Sequence, residues 1–352
     1  DMALPVGRVL LVLGGAIDTV VIERSFQMRR HVCDTVQIDD LLNHPGKVED
    51  LLYGDSHLPL SHIVFISSPS EPDQRVHDCF DRIKEQFISL AQFITSMNKS
   101  ETEISPKLFM VTHNVYERSN ATGNINVVDA GLWGMAAVMA LEFPRIWNGI
   151  GDCDQAHASS LVSAILDESN NDRWKISGSN IEVARLQSGL PVKWSPKQYS
   201  SAYNGSFVIA GGLGGVGRAL CEYLLDKGAD FIYLLGRTAY SSLSKDACDF
   251  LNQHRERVSY RVVDVSDASS VRNFFASEDK IKTDLTGIYS CVMNDSLMSL
   301  SDMDSDALGE ALSAKIIGTC LLHEHSLAHD IKQFVCFSSA SSVIGAKGQM
   351  AY

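Results

Sequence analysis

Val208-Ile209-Ala210-Gly211-Gly212-Leu213-Gly214-Gly215-Val216-Gly217 is the stretch that decides the fold. A β-branched run enters a glycine cluster, and a helical pattern from Val216 to Lys227 leaves it. That order predicts a strand, a sharp turn and a helix whose first N–H groups and dipole favour an anion such as a dinucleotide pyrophosphate. Side chains at Gly211, Gly215 and Gly217 would collide with such a ligand. Gly212 and Gly214 add room, and Leu213 and Val216 complete the candidate cofactor-binding turn. A glycine-rich surface turn is the bland alternative, and the order of strand, glycines and helix argues against it.

Phe231 to Leu235 reads as the next strand, ending in Gly236-Arg237-Thr238 without an acidic residue. An Asp or Glu there would accept from a free ribose 2′-OH, whereas Arg237 can pair with a 2′-phosphate, which favours NADPH over NADH. A solvated surface arginine is the alternative. Tyr260 to Val263 reads as a third strand and runs into Asp264-Val265-Ser266-Asp267. Asp264, beside Val265 at the ligand end of the sheet, either accepts from the adenine amino group or caps the helix starting near Ser269.

The apolar strand Gln333 to Phe337 leads to Ser338-Ser339-Ala340-Ser341-Ser342, and Tyr352 follows Ser339 by 13 residues. Hydride delivery to a ketone needs a proton donor for the nascent alkoxide, a task a tyrosine performs when a nearby cation favours its ionised form. The candidate cation is Lys315, 24 residues before Ser339 on the amphipathic stretch Asp306 to Ser326. Singly, each of the three reads as structural. Behind a cofactor motif they read as a catalytic set.

At these residues the sequence resembles the ketoreductase domains of modular polyketide synthases, in the short-chain dehydrogenase/reductase superfamily, with animal-type fatty acid synthase ketoreductases as close relatives. The motifs are the glycine fingerprint Gly211 to Gly217, Leu234-Leu235-Gly236-Arg237, Lys315-Ile316-Ile317-Gly318, Phe337-Ser338-Ser339 and Gly345-x-x-Gly348-Gln349-x-x-Tyr352. The order Lys315, Ser339, Tyr352 matches this family, whose lysine comes from the helix before the serine strand. The first half carries Gly131-Leu132-Trp133-Gly134, Ala140-Leu141-Glu142-Phe143-Pro144 and Trp147-Asn148-Gly149, similar to motifs of the family's structural subdomain. There Val9 to Leu13 is followed by Gly14-Gly15 and then Ala16-Ile17-Asp18, an acid where a pyrophosphate would sit.

The resemblance implies an α/β fold: a doubly wound Rossmann-type parallel sheet preceded by a truncated, degenerate Rossmann-like subdomain. The polar stretch Ser188 to Gly205, with its Pro, Gly and Ser, reads as a linker and places the boundary near residue 200. Residues 1–200 would then be structural, without cofactor, and 201–352 catalytic. The implied activity is NADPH-dependent reduction of a β-ketoacyl thioester carried on the phosphopantetheine arm of an acyl carrier protein, beside neighbouring synthase domains. Tyr352 would donate the proton, Ser339 hold the carbonyl oxygen and Lys315 orient and poise the tyrosine. A catalytically silent scaffold and a free-standing ketone reductase are the other readings.

In this family a Trp eight residues before the tyrosine marks L-configured products, and a Leu-Asp-Asp loop motif marks D-configured ones. Here those positions hold Ile344 and Met293-Asn294-Asp295, which implies the D product; the alternative for Asp295 is a helix cap. Three departures from the pattern stand out. The loop Ile288 to Asp295 reads as two residues short, and Ala210 replaces a usual Thr. The sequence also ends at Tyr352, before the family's following helix, lid and last strands, so the catalytic half is expected to be incomplete, an excised piece of a longer polypeptide that starts here at Asp1.

Length and composition fit two domains with ample core. A formal charge of −13 opposes non-specific nucleic-acid or membrane-surface binding. Eight scattered cysteines without C-x-x-C favour thiols in a reducing, cytoplasmic setting over disulfides or zinc. His325 and His329 share a helix face without a third ligand, so no metal site is expected. Residues 6–16 are too short and lack the basic start of a signal peptide, and fit a buried strand.

Overall fold

The computed structural model describes residues 6–44, 50–51, 57–68, 76–98, 106–116, 125–153, 157–167, 172–189, 203–278, 284–293 and 298–351. It divides into two compact units. One comprises Asp1–Ser188 with Leu297–Ser305 and Ala340–Met350, the other Gly189–Ser296 with Asp306–Ser339 and Ala351–Tyr352. The boundary expected near residue 200 falls within 190–202, outside the described residues.

In the first unit the apolar run Val9 to Leu13 lies in β1 (Gly7–Leu13) and is buried along its whole length, as a parallel strand covered on both faces requires. The sheet contains β2 (His31–Gln37), β3 (Leu60–Ile66), β4 (Lys107–Thr112), β5 (Trp147–Cys153), β6 (Asp172–Ser177) and β7 (Asn180–Val183). Its order is β2-β1-β3-β4-β5-β6-β7, parallel except for the terminal β6–β7 hairpin. The helices are α1 (Val20–Gln27), α2 (Ile38–Asn43), α3 (Val76–Asn98), α4 (Val127–Glu142) and α5 (Ala158–Ile165). Val9, Leu11 and Leu13 share one core with Ile22 and Phe26 of α1 and with Leu161 and Val162 of α5. The opening order 2-1-3-4-5 is a doubly wound sheet with one strand fewer on the β2 side than the dinucleotide-binding 3-2-1-4-5, which makes it the expected truncated form.

The second unit holds β8 (Ser206–Ala210), β9 (Phe231–Gly236), β10 (Val258–Val262), β11 (Leu285–Ser290) and β12 (Gln333–Cys336), all parallel in the order β10-β9-β8-β11-β12. Counted from β8 this is 3-2-1-4-5, with the reversal of direction between β8 and β11. The helices are α6 (Gly215–Asp226), α7 (Lys245–Gln253), α8 (Ala268–Ser277) and α9 (Ser305–Ser326); the short α10 (Ser341–Ile344) lies in the segment grouped with the first unit. Phe207, Ile209, Cys221, Leu224, Ile232, Leu234 and Phe250 pack into one core. His325, in the last turn of α9, and His329, three residues beyond its end, both stack on Phe275, at ring distances of 4.8 and 6.1 Å; the helix expected to carry both on one face ends between them. No helix among the described residues is long and apolar enough to cross a membrane.

Candidate active site

At the β8/β11 switch point, where open α/β sheets bind ligands, lies a crevice of about 530 Å³. Gly211, Leu213, Gly214, Gly215, Val216 and Gly217 line one side of it. Gly211 turns the chain with φ +73°, and a Cβ there would meet the Cys291 carbonyl oxygen at 2.7 Å. At Gly217 a Cβ would lie 2.6 Å from the Gly211 oxygen, so this glycine lets α6 start against the turn. Gly212 also serves packing rather than ligand room, since its Cβ would strike Leu234 at 2.7 Å.

Gly215 differs from these: nothing lies within 4 Å of where its Cβ would be. The protein itself does not require a glycine there, whereas a ligand approaching the backbone would. The N-cap of α6 is Gly214, which offers no side-chain cap to the first-turn N–H groups. Open space over Gly215 and an uncapped helix start are what a pyrophosphate needs, and the crevice therefore fits a dinucleotide. At the corresponding point of the first unit, Asp18 accepts from the Val20 N–H at 3.0 Å, and a Cβ on Gly15 would fall 2.6 Å from Ser68 Oγ. That helix start already faces a carboxylate.

The crevice continues past Gly236, Thr238, Ser244 and Tyr260. Arg237 is exposed between Gly236 and Thr238 at the end of β9. Arg218 lines the crevice as well, its Nε donating to the Leu213 carbonyl at 2.8 Å and its guanidinium lying 5.7 Å from the Phe250 ring centre. Arg218 was not singled out from the sequence, although its place directly after Gly217, the last glycine of the run, was a signal. Asp264 accepts from Ser266 N and Oγ at 3.0 and 2.6 Å. It is not the helix cap: Asp267 caps α8, accepting from Ser269 N at 2.8 Å. Val265 is buried against Gly318 of α9, where a Cβ would come within 2.7 Å of Val265 Cγ2, so the K-x-x-G glycine admits a close helix approach. Burial pushes the Cys291 thiol up to about 11, which keeps this crevice residue a thiol rather than a nucleophilic thiolate near neutral pH.

Lys315, half-buried on α9, donates from Nζ to the Ala351 carbonyl at 3.1 Å, one residue before Tyr352. Ser339 is half-buried just beyond β12. Tyr352, Asn294 and Asp295 lie outside the described residues, whereas Met293 lines the crevice. Ile344, the last residue of α10, is 52% exposed. No group of three or more His, Cys, Asp or Glu among the described residues is placed to hold a metal.

Residues 205–352 match the family model described as KR domain. Among curated relatives, one component of the phenolphthiocerol/phthiocerol polyketide synthase of Mycobacterium tuberculosis is 29% identical over 265 residues, which are 70% of this chain and 16% of that protein. The lovastatin diketide synthase lovF of Aspergillus terreus is 34% identical over 160 residues, 42% of this chain and 6% of that protein. The chain thus spans a small part of the length of the curated relatives it matches. Among solved structures, an A1-type ketoreductase superposes with a TM-score of 0.76 at 22% identity, covering 100% of this chain and 74% of that one. An N-terminal ketoreductase from the macrolactin assembly line gives 0.76 at 15% identity, covering 98% and 73%. These structures share the fold. By these matches, and by the motifs above, residues 205–352 are similar to the ketoreductase domains of polyketide synthases.

Proposed function

We propose that this polyketide-synthase ketoreductase domain reduces the β-keto group of an acyl chain held on the phosphopantetheine arm of an acyl carrier protein, using NADPH. The observation that carries the reading is the crevice at the β8/β11 switch point, with its uncapped α6 start and open space over Gly215. The turn Gly211 to Gly217 would hold the pyrophosphate, Arg237 the 2′-phosphate, and Asp264 with Val265 the adenine end. When bound, the nicotinamide supplies the hydride.

The chain's own residues supply the rest. Ser339 holds the carbonyl oxygen of the substrate, and Tyr352 gives its phenolic proton to that oxygen as negative charge develops there. Lys315, which donates to the Ala351 carbonyl at 3.1 Å, would orient Tyr352 and poise it electrostatically. Residues 1–200 serve as the structural part, without cofactor; the Asp18 carboxylate at the start of α1 supports this, since a pyrophosphate there would meet like charge. The curated relatives are multidomain synthases, which supports neighbouring synthase domains as partners. Eight free cysteines without a C-x-x-C support a reducing, cytoplasmic setting.

The test is NADPH consumption by the full-length polypeptide in the presence of a β-ketoacyl thioester. Turnover that depends on the thioester is expected. A protein that binds NADPH tightly yet reduces no β-ketoacyl thioester would be a silent scaffold instead.

A further inference from the structure

Glu142 is the last residue of α4, where the negative end of the helix dipole disfavours a carboxylate. Its two oxygens are nevertheless engaged by backbone from distant parts of the chain. Oε1 accepts from the Gly348 N–H at 2.7 Å, and Oε2 from the Leu300 N–H at 3.4 Å. A half-buried carboxylate that commits its acceptors to two loop amides is doing something other than serving its own helix.

The loop it grips is fastened at several points. The Arg173 guanidinium donates to the Val343 carbonyl. Gly345, at φ +74°, sits so close to α4 that a Cβ would fall 2.4 Å from the Ala137 oxygen. Gly348, at φ +72°, donates to Glu142 and accepts from Met298 N at 2.7 Å, and Gln349 forms a parallel bridge with Met298. Three residues after Gly348 comes Ala351, whose carbonyl takes Lys315, and then Tyr352. Gly345 is therefore explained by its close approach to α4 and its positive φ, and Gly348 by its positive φ alone.

We propose that Glu142 is a positioning residue for the reduction: through the Gly348 amide it sets the backbone of the Gly345–Met350 loop, from which the chain runs on to the proposed proton donor Tyr352. The inference rests on the role given to Tyr352 above. Glu142 acts through backbone and takes no part in proton transfer.

The test compares wild type with Glu142→Ala, Glu142→Gln and Glu142→Asp in the full-length polypeptide. Two quantities are measured: hydrogen exchange of the peptide spanning 340–351 and steady-state reduction of a β-ketoacyl thioester. Glu142→Ala should speed exchange in that peptide while leaving the β8–β11 peptides unchanged. It should lower kcat about 10- to 100-fold, the cost of a misplacement of roughly 1 Å, with KM for NADPH unmoved. Glu142→Gln keeps an oxygen for the Gly348 amide and should restore most of kcat; Glu142→Asp, one methylene short, should not. Unchanged exchange in Glu142→Ala overturns the proposal, as does faster exchange with unchanged kcat. If Glu142→Ala fails to fold, the contrast between Gln and Asp decides in the same way. A wild type that reduces no thioester overturns the proposed function, and the exchange result alone then decides whether Glu142 orders the loop.

Discussion

Lys315 Nζ donates to the Ala351 carbonyl oxygen at 3.1 Å, so the cation of the candidate catalytic set is tied to the backbone that enters Tyr352. The lysine reaches that point because Gly318, one turn along α9, lets the helix close on Val265. Orientation and electrostatics are thus joined in one side chain. Tyr352→Phe should lower kcat by about 10²-fold or more, as for loss of a general acid. Lys315→Met should lower kcat with little change in KM for NADPH. If lysine acts through the tyrosine, the double variant should cost no more than Tyr352→Phe alone, which steady-state kinetics of the three variants will show.

The contrast between two glycines separates folding from binding. Gly215→Ala places a methyl in open space at the start of α6 and should stabilise the fold by about 0.4–1 kcal/mol through the unfolded state. The same methyl should weaken NADPH binding at least tenfold. Gly217→Ala drives a methyl to 2.6 Å from the Gly211 oxygen and should destabilise by about 1–3 kcal/mol. Thermal denaturation and cofactor titration on both variants check the pair; loss of stability in Gly215→Ala would show that the turn needs this glycine for its own sake.

Arg237 projects from the end of β9 and is exposed, without the brace that holds Arg218 to the Leu213 carbonyl. Arg237→Ala should weaken NADPH binding by about 1.5–3 kcal/mol, the range for a charged hydrogen bond, and leave NADH nearly unaffected. Arg218→Ala should weaken both cofactors alike, because it loosens the glycine turn they share. Equal losses for NADPH and NADH in Arg237→Ala would show that Arg237 does not read the 2′-phosphate.

The parallel strands that were legible, such as Val9 to Leu13, are short apolar runs ending at a glycine or polar turn, whereas β2 (HVCDTVQ) and β6 (DRWKIS) carry no such run. Phe231 to Leu235 and Gln333 to Phe337 appear within one residue of β9 and β12. The helix expected over Asp306 to Ser326 is α9 with one residue added in front. Long-range choices left no such trace. The order of the first sheet, the antiparallel β6–β7 hairpin and the grouping of Ala340–Met350 with the first unit depend on which surfaces meet, which local periodicity does not encode. The same holds within the site. The glycine cluster announced a turn, but only the space around each Cβ separates Gly215, left open, from Gly212 and Gly217, which pack against protein. Glu142 was visible as part of a motif, yet its partners lie 158 and 206 residues away along the chain.

Asp129 in α4 is fully buried, accepting from Ser67 Oγ, from the His113 N–H at 3.1 Å and from Gln86 Nε2 at 3.5 Å. Burial raises its pKa above the ordinary carboxylate value, and the hydrogen bonds from Ser67 and His113 only partly offset this. An acid whose folded-state pKa is raised contributes stability that is fully present below its unfolded pKa and is lost as pH rises through the folded one. Wild type should therefore lose stability relative to Asp129→Asn as pH climbs from the ordinary carboxylate range through the raised value. Melting curves of both proteins over that range test this, and a gap between them that does not change with pH would place the cause elsewhere.

The last prediction concerns which face of the ketone receives the hydride. The family resemblance ties a Trp eight residues before the tyrosine to the L product and a Leu-Asp-Asp loop to the D product. Here the first position is Ile344, an exposed aliphatic residue closing α10, and the second reads Met293-Asn294-Asp295, with Met293 lining the crevice. An aliphatic residue in place of the indole removes the bulk that would turn the phosphopantetheine arm toward the opposite side of the groove. The product should then be the D-β-hydroxyacyl thioester, and Ile344→Trp should raise the share of L. Chiral chromatography of the reduced thioester reads both outcomes: a wild-type product that is mainly L overturns the assignment, and an unchanged ratio in Ile344→Trp shows that position 344 does not steer the arm.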